Sequence, residues 1–332
     1  MTSFAHLVVP GDSPIADAHR KTLVVHCQVP KWPHQLVAGL EALDETGSRI
    51  FERKGIKVRQ QSVFAPSETA LCTMVIKDSA ASPFLADWVR YHQFFGFDQI
   101  VVYVEDQEHY WAQEMLRPLM EAGGVRLVHF HFGSLSEQRS WVMQQAMEQH
   151  CLYAAKGMVK WLGHSDIDEY FQVTDPELQV GVTVKDILAR LSKKKKWVAP
   201  VPAVSVQSQL WFFASEADCQ KSRFFPCDMT CKVPDYNSVS TKLIINPDAV
   251  DYFSVHLLTR YRGQLYDANP WNELRVNHFK YVNRSSTGCA DDSTFQDGCK
   301  IALGYNPKPG KGRLPNTPSG MCKHAPFRRR HP

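Results

Sequence analysis

Residues Lys160 to Phe171 carry three carboxylates, Asp166, Asp168 and Glu169, within four positions at the end of an apolar run, followed by Tyr170 and Phe171. If the segment is extended, side chains alternate, and Asp166 and Asp168 are expected on one face about 6–7 Å apart. Two carboxylates that converge repel each other unless a cation sits between them. Oxygen ligands suit a hard ion such as manganese or magnesium, and such ions commonly hold substrate phosphates as well. The segment is therefore read as a metal-bridged phosphate site, with Asp166, Asp168 and Glu169 as the catalytic candidates. An Asp-x-Asp triplet also arises by chance on solvated turns, so the elements around it must decide. Phosphatases of the haloacid-dehalogenase type share the triplet but want a small β-branched residue two positions later, where this chain has Tyr170.

From Leu71 the chain alternates strand and helix signals. Leu71–Ile76 is a continuous apolar run, as a strand buried on both faces of a parallel sheet requires. Ser82-Pro83 offers a helix start. Phe84, Leu85, Trp88, Val89, His92 and Phe95 then recur at helical spacing up to Gly96. Strands are expected at Gln99–Val104 and Val125–Phe130, with a helix over His109–Glu121 between them. A capping box at Ser134–Glu137 opens a helix reaching Lys156, and Met158–Leu162 leads into the carboxylates. This order predicts an α/β domain with a doubly wound, mostly parallel sheet, whose ligands gather at the carboxyl ends of strands. Glu105-Asp106 and the 166–169 group both fall at such ends. Later expectations are a helix over Val184–Leu191, with Lys193–Lys196 favouring its C-terminal dipole, and strands over Trp197–Val206, Thr241–Ile245, Tyr252–Leu257 and Leu274–Tyr281.

The organisation is thus a β-rich lead-in over 1–66, the α/β domain over 67–282 and a loop-rich tail over 283–332. The 332 residues are 44% hydrophobic and 22% charged, enough for a sizeable core. A net charge of +4 gives no reason to expect a nucleic-acid partner. No apolar run approaches the roughly 20 residues of a membrane span, and Met1–Pro10 lacks a signal-peptide pattern. Among nine cysteines, Cys72 and Cys151 are expected as buried free thiols. Disulfides are plausible for the later group around Cys219, Cys227, Cys231, Cys289 and Cys299. No Cys-x-x-Cys pair suggests zinc.

Several segments together resemble glycosyltransferase family 92, a galactosyltransferase-like group. They are Cys72-x4-Lys77-Asp78; Phe84-Leu85-x-Asp87-Trp88-Val89-x-Tyr91-His92 with Gly96-Phe97-Asp98; and Trp161-x4-Asp166-Ile167-Asp168-Glu169-Tyr170-Phe171. Two later blocks complete the set: Lys242-x-Ile244-x2-Pro247 with His256, and Arg275-Val276-Asn277-His278-Phe279. They follow the family's order over 71–281. Asp78-Ser79 stands where the family has Asn-Glu, and Asn246 where a basic residue is common.

The resemblance implies a GT-A (Rossmann-like) fold. It also implies transfer of a sugar, typically galactose, from a UDP-sugar to a glycan with inversion, in the Golgi lumen or secretory pathway. It implies a manganese or magnesium ion on Asp166 and Asp168, its shell completed by a late histidine, His278 or His256. Asp106 suits either a uracil contact or a loop cap, Asp166 either the ion or the donor ribose, and Lys77 and Lys242 either the phosphates or a solvated surface. Glu216 and Asp228 lie where an acceptor-side base would fall, without a motif to support them. Trp211 and Trp271 suit either sugar stacking or apolar packing, and Tyr91-His92 either packing and orientation of their helix or, as the lesser alternative, catalysis. The departures leave room for an inactive, glycan-binding or scaffold relative.

Overall fold

The computed structural model describes residues 5–8, 24–27, 36–43, 48–58, 63–75, 84–104, 109–129, 140–175, 182–194, 201–213, 231–232, 237–254 and 256–283. The chain divides into two units, Met1–Val63 and Phe64–Pro332. In the first, strands β1 (Ala5–Val8) and β2 (Val24–Cys27) pair antiparallel, as do β3 (Leu36–Leu43) and β4 (Arg49–Val58).

The second unit is a mixed α/β domain. Its elements are β5 (Ser67–Val75), α1 (Leu85–Phe94), β6 (Gln99–Val104), α2 (His109–Ala122), β7 (Val125–His129), α3 (Ser140–Ala155), β8 (Val159–His164), β9 (Glu169–Val173), α4 (Val184–Lys194) and β10 (Ala203–Phe213). Then come β11 (Cys231–Lys232), β12 (Asn237–Ile245), β13 (Val250–Ser254), β14 (Leu257–Tyr261), β15 (Tyr266–Asp267) and β16 (Leu274–Asn283). One ten-stranded sheet runs β7-β6-β5-β8-β12-β10-β16-β9, with β11 and β15 also on β10.

The parallel character expected of the domain belongs to β7, β6, β5 and β8. Beyond β8 the sheet is mixed. β12 is antiparallel to both β8 and β10, β16 is parallel to β10, and β9 closes the edge antiparallel to β16. Short connections explain part of this: only the four residues 165–168 separate β8 from β9, too few for the long crossover that a parallel neighbour needs.

Helix α1 buries Leu85, Trp88, Val89, Tyr91 and His92. It ends at Gly96, whose φ of +103° is open to glycine. A Cβ there would also lie 2.5 Å from Thr183 Cβ. The buried face carries more than apolar area. Trp88 Nε1 donates to the Glu169 carbonyl (2.8 Å), and the Tyr91 hydroxyl donates to the Phe171 carbonyl (2.6 Å). His92 Nδ1 donates to the Trp88 carbonyl (2.9 Å), leaving Nε2 to accept from the Phe171 N–H (3.5 Å). Tyr91 and His92 thus pack and orient their helix, and α1 grips the backbone of β9 directly after the carboxylates.

On the opposite face of β8, α3 packs against β5, β8 and β13. Cys72 of β5 and Cys151 of α3 form a disulfide. This corrects the expectation of two buried free thiols. Both sit in apolar segments as expected, but facing elements bring their sulfurs together.

Two predictions follow from these contacts. The disulfide bridges a sequence separation of 79 residues, for which loop-closure entropy gives about 4.5 kcal/mol. Replacing Cys72 and Cys151 by Ala should lower the unfolding free energy by up to that amount in urea titrations. His92 is fully buried, and burial lowers its pKa to about 3. A group held neutral in this way contributes stability that is full above its unfolded pKa, about 6.5. That stability is lost as pH falls towards 3, at about 1.4 kcal/mol per pH unit. Urea midpoints should therefore fall between pH 7 and pH 4, with a shallower slope in His92→Gln.

Candidate metal centre

Strand β8 stops at His164, and the chain turns at Ile167-Asp168 before β9 starts at Glu169. The Glu169 N–H donates to the Asp166 carbonyl at 3.0 Å, closing the turn. The extended geometry that would put Asp166 and Asp168 on one face is therefore absent. The turn sends these two side chains to different partners.

Asp166 goes to Lys242. The Lys242 Nζ donates to Asp166 Oδ2 and to Glu169 Oε2, each at 2.8 Å, and its side chain is 0% exposed. Glu169 Oε2 also accepts the Asp166 N–H (2.9 Å), and Asp166 Oδ1 accepts from Gln144 Nε2 of α3 (3.0 Å). Burial alone would raise the Asp166 pKa, but the Lys242 charge and hydrogen bond, aided by His164 and His278, bring it below the ordinary value. For Lys242, burial pulls down, while Asp166 and then Glu169 push its pKa up past the ordinary lysine value. Both groups are held charged. The register explains the meeting: Ile244 of β12 faces Gly163 of β8, so Lys242 lies beside the carboxyl end of β8.

Asp168, Glu169 and His278 form a second group, with one potential ligand atom from each lying within 4.8 Å of the others. Glu169 and His278 are directly opposed across the β9–β16 ladder. Opposed residues of an antiparallel pair place their Cβ atoms about 5 Å apart on one face. The Phe279 N–H donates to the Asp168 carbonyl (2.8 Å), which fixes Asp168 beside them. His278 Nε2 lies 3.3 Å from Asp168 Oδ2, and His278 Nδ1 lies 3.4 Å from Glu169 Oε1. None of these contacts is aligned as a hydrogen bond. Both ring nitrogens and Glu169 Oε1 are buried with no hydrogen-bond partner among the described residues. Orphaned buried atoms of this kind are costly. An imidazole nitrogen beside a carboxylate is a donor pair that a divalent cation satisfies.

The structure thus brings together five of the sequence candidates in two linked groups, Asp166 with Lys242 and Asp168 with His278, joined through the fifth, Glu169. Lys242 is committed to carboxylates and buried, so a direct phosphate contact is not available to it in this arrangement. His256 is not one of the residues grouped with Asp168: it is half-buried, and its Nδ1 donates to the Thr241 carbonyl (2.9 Å). Burial and then the nearby Lys242 charge lower its pKa. Trp211 is buried, stacks on Phe279 and donates from Nε1 to Asn277 Oδ1 at 2.8 Å, so packing and orientation are its work. Trp271 is 63% exposed, in the turn before β16 and at the far end of that strand from His278. Lys77, Asp106, Glu216 and Asp228 lie outside the described residues.

Sequence reasoning missed the partner of His164. Its Nδ1 lies 3.6 Å from Glu148 Oε1 of α3, both side chains buried, and burial lowers the His164 pKa to about 3. A polar residue at an expected apolar helix position was the available signal. A cleft of about 530 Å³ opens at the other end of the parallel strands, lined by Ala65, Pro66, Ser67, Asp98, Gln99, Gly124 and Arg126. It contains no counterpart of the carboxylate group.

The sequence profile of glycosyltransferase family 92 matches residues 68–304. The chain belongs to glycosyltransferase family 92. A family 92 protein of Ricinus communis is 25% identical over 222 residues, covering 65% of this chain and 36% of the relative. One of Arabidopsis thaliana is 23% identical over 125 residues, covering 37% and 20%. The chain thus spans between 20% and 40% of the length of the curated relatives it matches. Among solved structures, a 4-diphosphocytidyl-2C-methyl-D-erythritol synthase from Anaerococcus prevotii overlaps with TM-score 0.34 at 12% identity, covering 72% of this chain and 96% of that one. HddC from Yersinia pseudotuberculosis gives TM-score 0.34 at 9% identity, covering 70% and 99%. Overlaps this low add nothing to the fold read from the strand order. No helix among the described residues is long and apolar enough to cross a membrane.

Removing one partner of a buried, paired charge costs about 3–5 kcal/mol because the other charges stay buried. Lys242→Met should therefore destabilise this family 92 domain by that amount in denaturant titrations, and more than Asp166→Asn, whose side chain is 32% exposed.

Proposed function

We propose that this domain is the nucleotide-sugar-binding and catalytic part of a metal-dependent glycosyltransferase of GT-A architecture. It moves a sugar, galactose in the first instance, from a UDP-sugar to a glycan acceptor with inversion. The observation that carries this reading is the meeting of Asp168 with the orphaned ring nitrogens of His278 at the rim of the sheet. It lies just past the carboxyl end of β8, where open α/β sheets bind ligands. Family membership supplies the reaction class.

Asp168 and His278 are the residues that would hold the ion, manganese or magnesium. A divalent ion there supplies charge stabilisation for the departing nucleoside diphosphate. Asp168, with 22% of its side chain exposed, faces the side from which donor arrives. Asp166, held ionised by Lys242, anchors the turn and stays within reach of a donor ribose. Lys77 and Asp106 remain the candidates for phosphate and uracil. The acceptor's hydroxyl needs a base to take its proton, for which Glu216 and Asp228 are the carboxylates to try first.

Calorimetry of UDP with and without Mn²⁺, followed by a transfer assay with UDP-galactose, tests the reading. UDP should bind only with Mn²⁺. Asp168→Asn should abolish both that binding and turnover while leaving the melting temperature nearly unchanged. Equal UDP affinity with and without Mn²⁺, or full turnover in Asp168→Asn, would overturn it. Glycan binding without nucleotide binding would instead mark an inactive relative.

A further inference from the structure

The imidazole of His278 has a carboxylate on each side, and its two nitrogen lone-pair directions diverge, so one ion can take only one of them. The Nδ1 side faces Glu169, which is 0% exposed and whose Oε2 is already occupied by Lys242 and by the Asp166 N–H. The Nε2 side faces Asp168, the exposed member of the group. An ion arriving with a phosphate must come from the exposed side. Histidines that ligate metals through one nitrogen commonly donate the other N–H to a carboxylate, which fixes the tautomer and the ring angle.

We propose that Glu169 is a positioning residue for His278, and that Lys242 in turn fixes Glu169, so that neither is a ligand to ion or phosphate. The proposal rests on the reading of Asp168 and His278 as the ion-holding pair. Three features of the chain support it. The ladder places Glu169 directly opposite His278. Trp88 holds the Glu169 carbonyl. Lys242 and the Asp166 N–H hold Oε2, leaving Oε1 aimed at Nδ1. The 3.4 Å contact is longer than a formed hydrogen bond, so the ring has room to turn towards Glu169 as Nε2 meets an ion. Lys242 also removes the repulsion that would otherwise oppose a buried Glu169 beside Asp166 and Asp168.

Mn²⁺ affinity measured by electron paramagnetic resonance on the full chain separates the roles. Wild type should bind Mn²⁺, Asp168→Asn should lose binding, and Glu169→Gln should weaken it roughly 10–100-fold, the range expected when a carboxylate behind a ligating histidine is altered. Glu169→Gln within threefold of wild type would overturn the proposal while the metal reading stood. So would loss as complete as in Asp168→Asn, because Glu169 would then be a ligand. No Mn²⁺ binding by wild type would sink both. Since Glu169→Gln can also unsettle the fold, a measurement on unmodified protein stands beside it. In ¹⁵N-histidine spectra during a Mg²⁺ titration, with His278→Gln to assign one of 14 histidines, Nε2 of His278 should respond while Nδ1 keeps its proton. A response at Nδ1 would overturn the proposal.

Discussion

A single buried ammonium organises this domain. Lys242 lies in β12 with no exposed surface, bridging Asp166 and Glu169. Burial alone would favour its neutral form, and the Asp166 and Glu169 carboxylates hold it charged. That requires β12 to run beside β8 in one register. A shift by one residue would turn Lys242 to the other face of the sheet. The ion pair thus ties the antiparallel half of the sheet to the parallel half at the point where the candidate chemistry sits.

Around that pair the chain tightens the same few residues from several directions. Helix α1 holds the backbone of Glu169 and Phe171 through Trp88, Tyr91 and His92. Helix α3 contributes Gln144 to Asp166 and is linked to β5 by Cys72–Cys151. The Cys72 carbonyl accepts the Ser165 N–H, one residue before Asp166. Asn277 is held by Trp211 and donates to Gln172 Oε1 at 2.9 Å, keeping β16 and β9 in the register that opposes His278 to Glu169. Sites that work by placing charge need supports of this kind, because small displacements are expensive.

The parallel strands were legible because β5, β6 and β8 are buried on both faces and read as apolar runs. Helix α1 was legible because its buried residues fall at helical spacing. The acidic group and His278 were legible as residue types in a family order. The turn at Ile167-Asp168 was not, because no glycine or proline marks it and the local pattern fits a continuing strand equally well. It is set by tertiary contacts, with Trp88 on one side and Phe279 on the other. The commitment of Lys242 was invisible for a related reason: a lysine in a β-branched run reads as an exposed position, and only its partners, 76 and 73 positions away in sequence, bury it. The Cys72–Cys151 pairing is likewise a matter of which elements face each other. The mixed order beyond β8 depends on long-range pairings with no local signature.

The most direct test of this account is where an ion binds. Crystals grown with Mn²⁺ and UDP, measured at a wavelength where manganese scatters anomalously, would locate it. The account expects a single peak between Asp168 and Nε2 of His278, with Lys242 still bridging Asp166 and Glu169. A peak coordinated by Asp166, with Lys242 displaced onto phosphate, would contradict it.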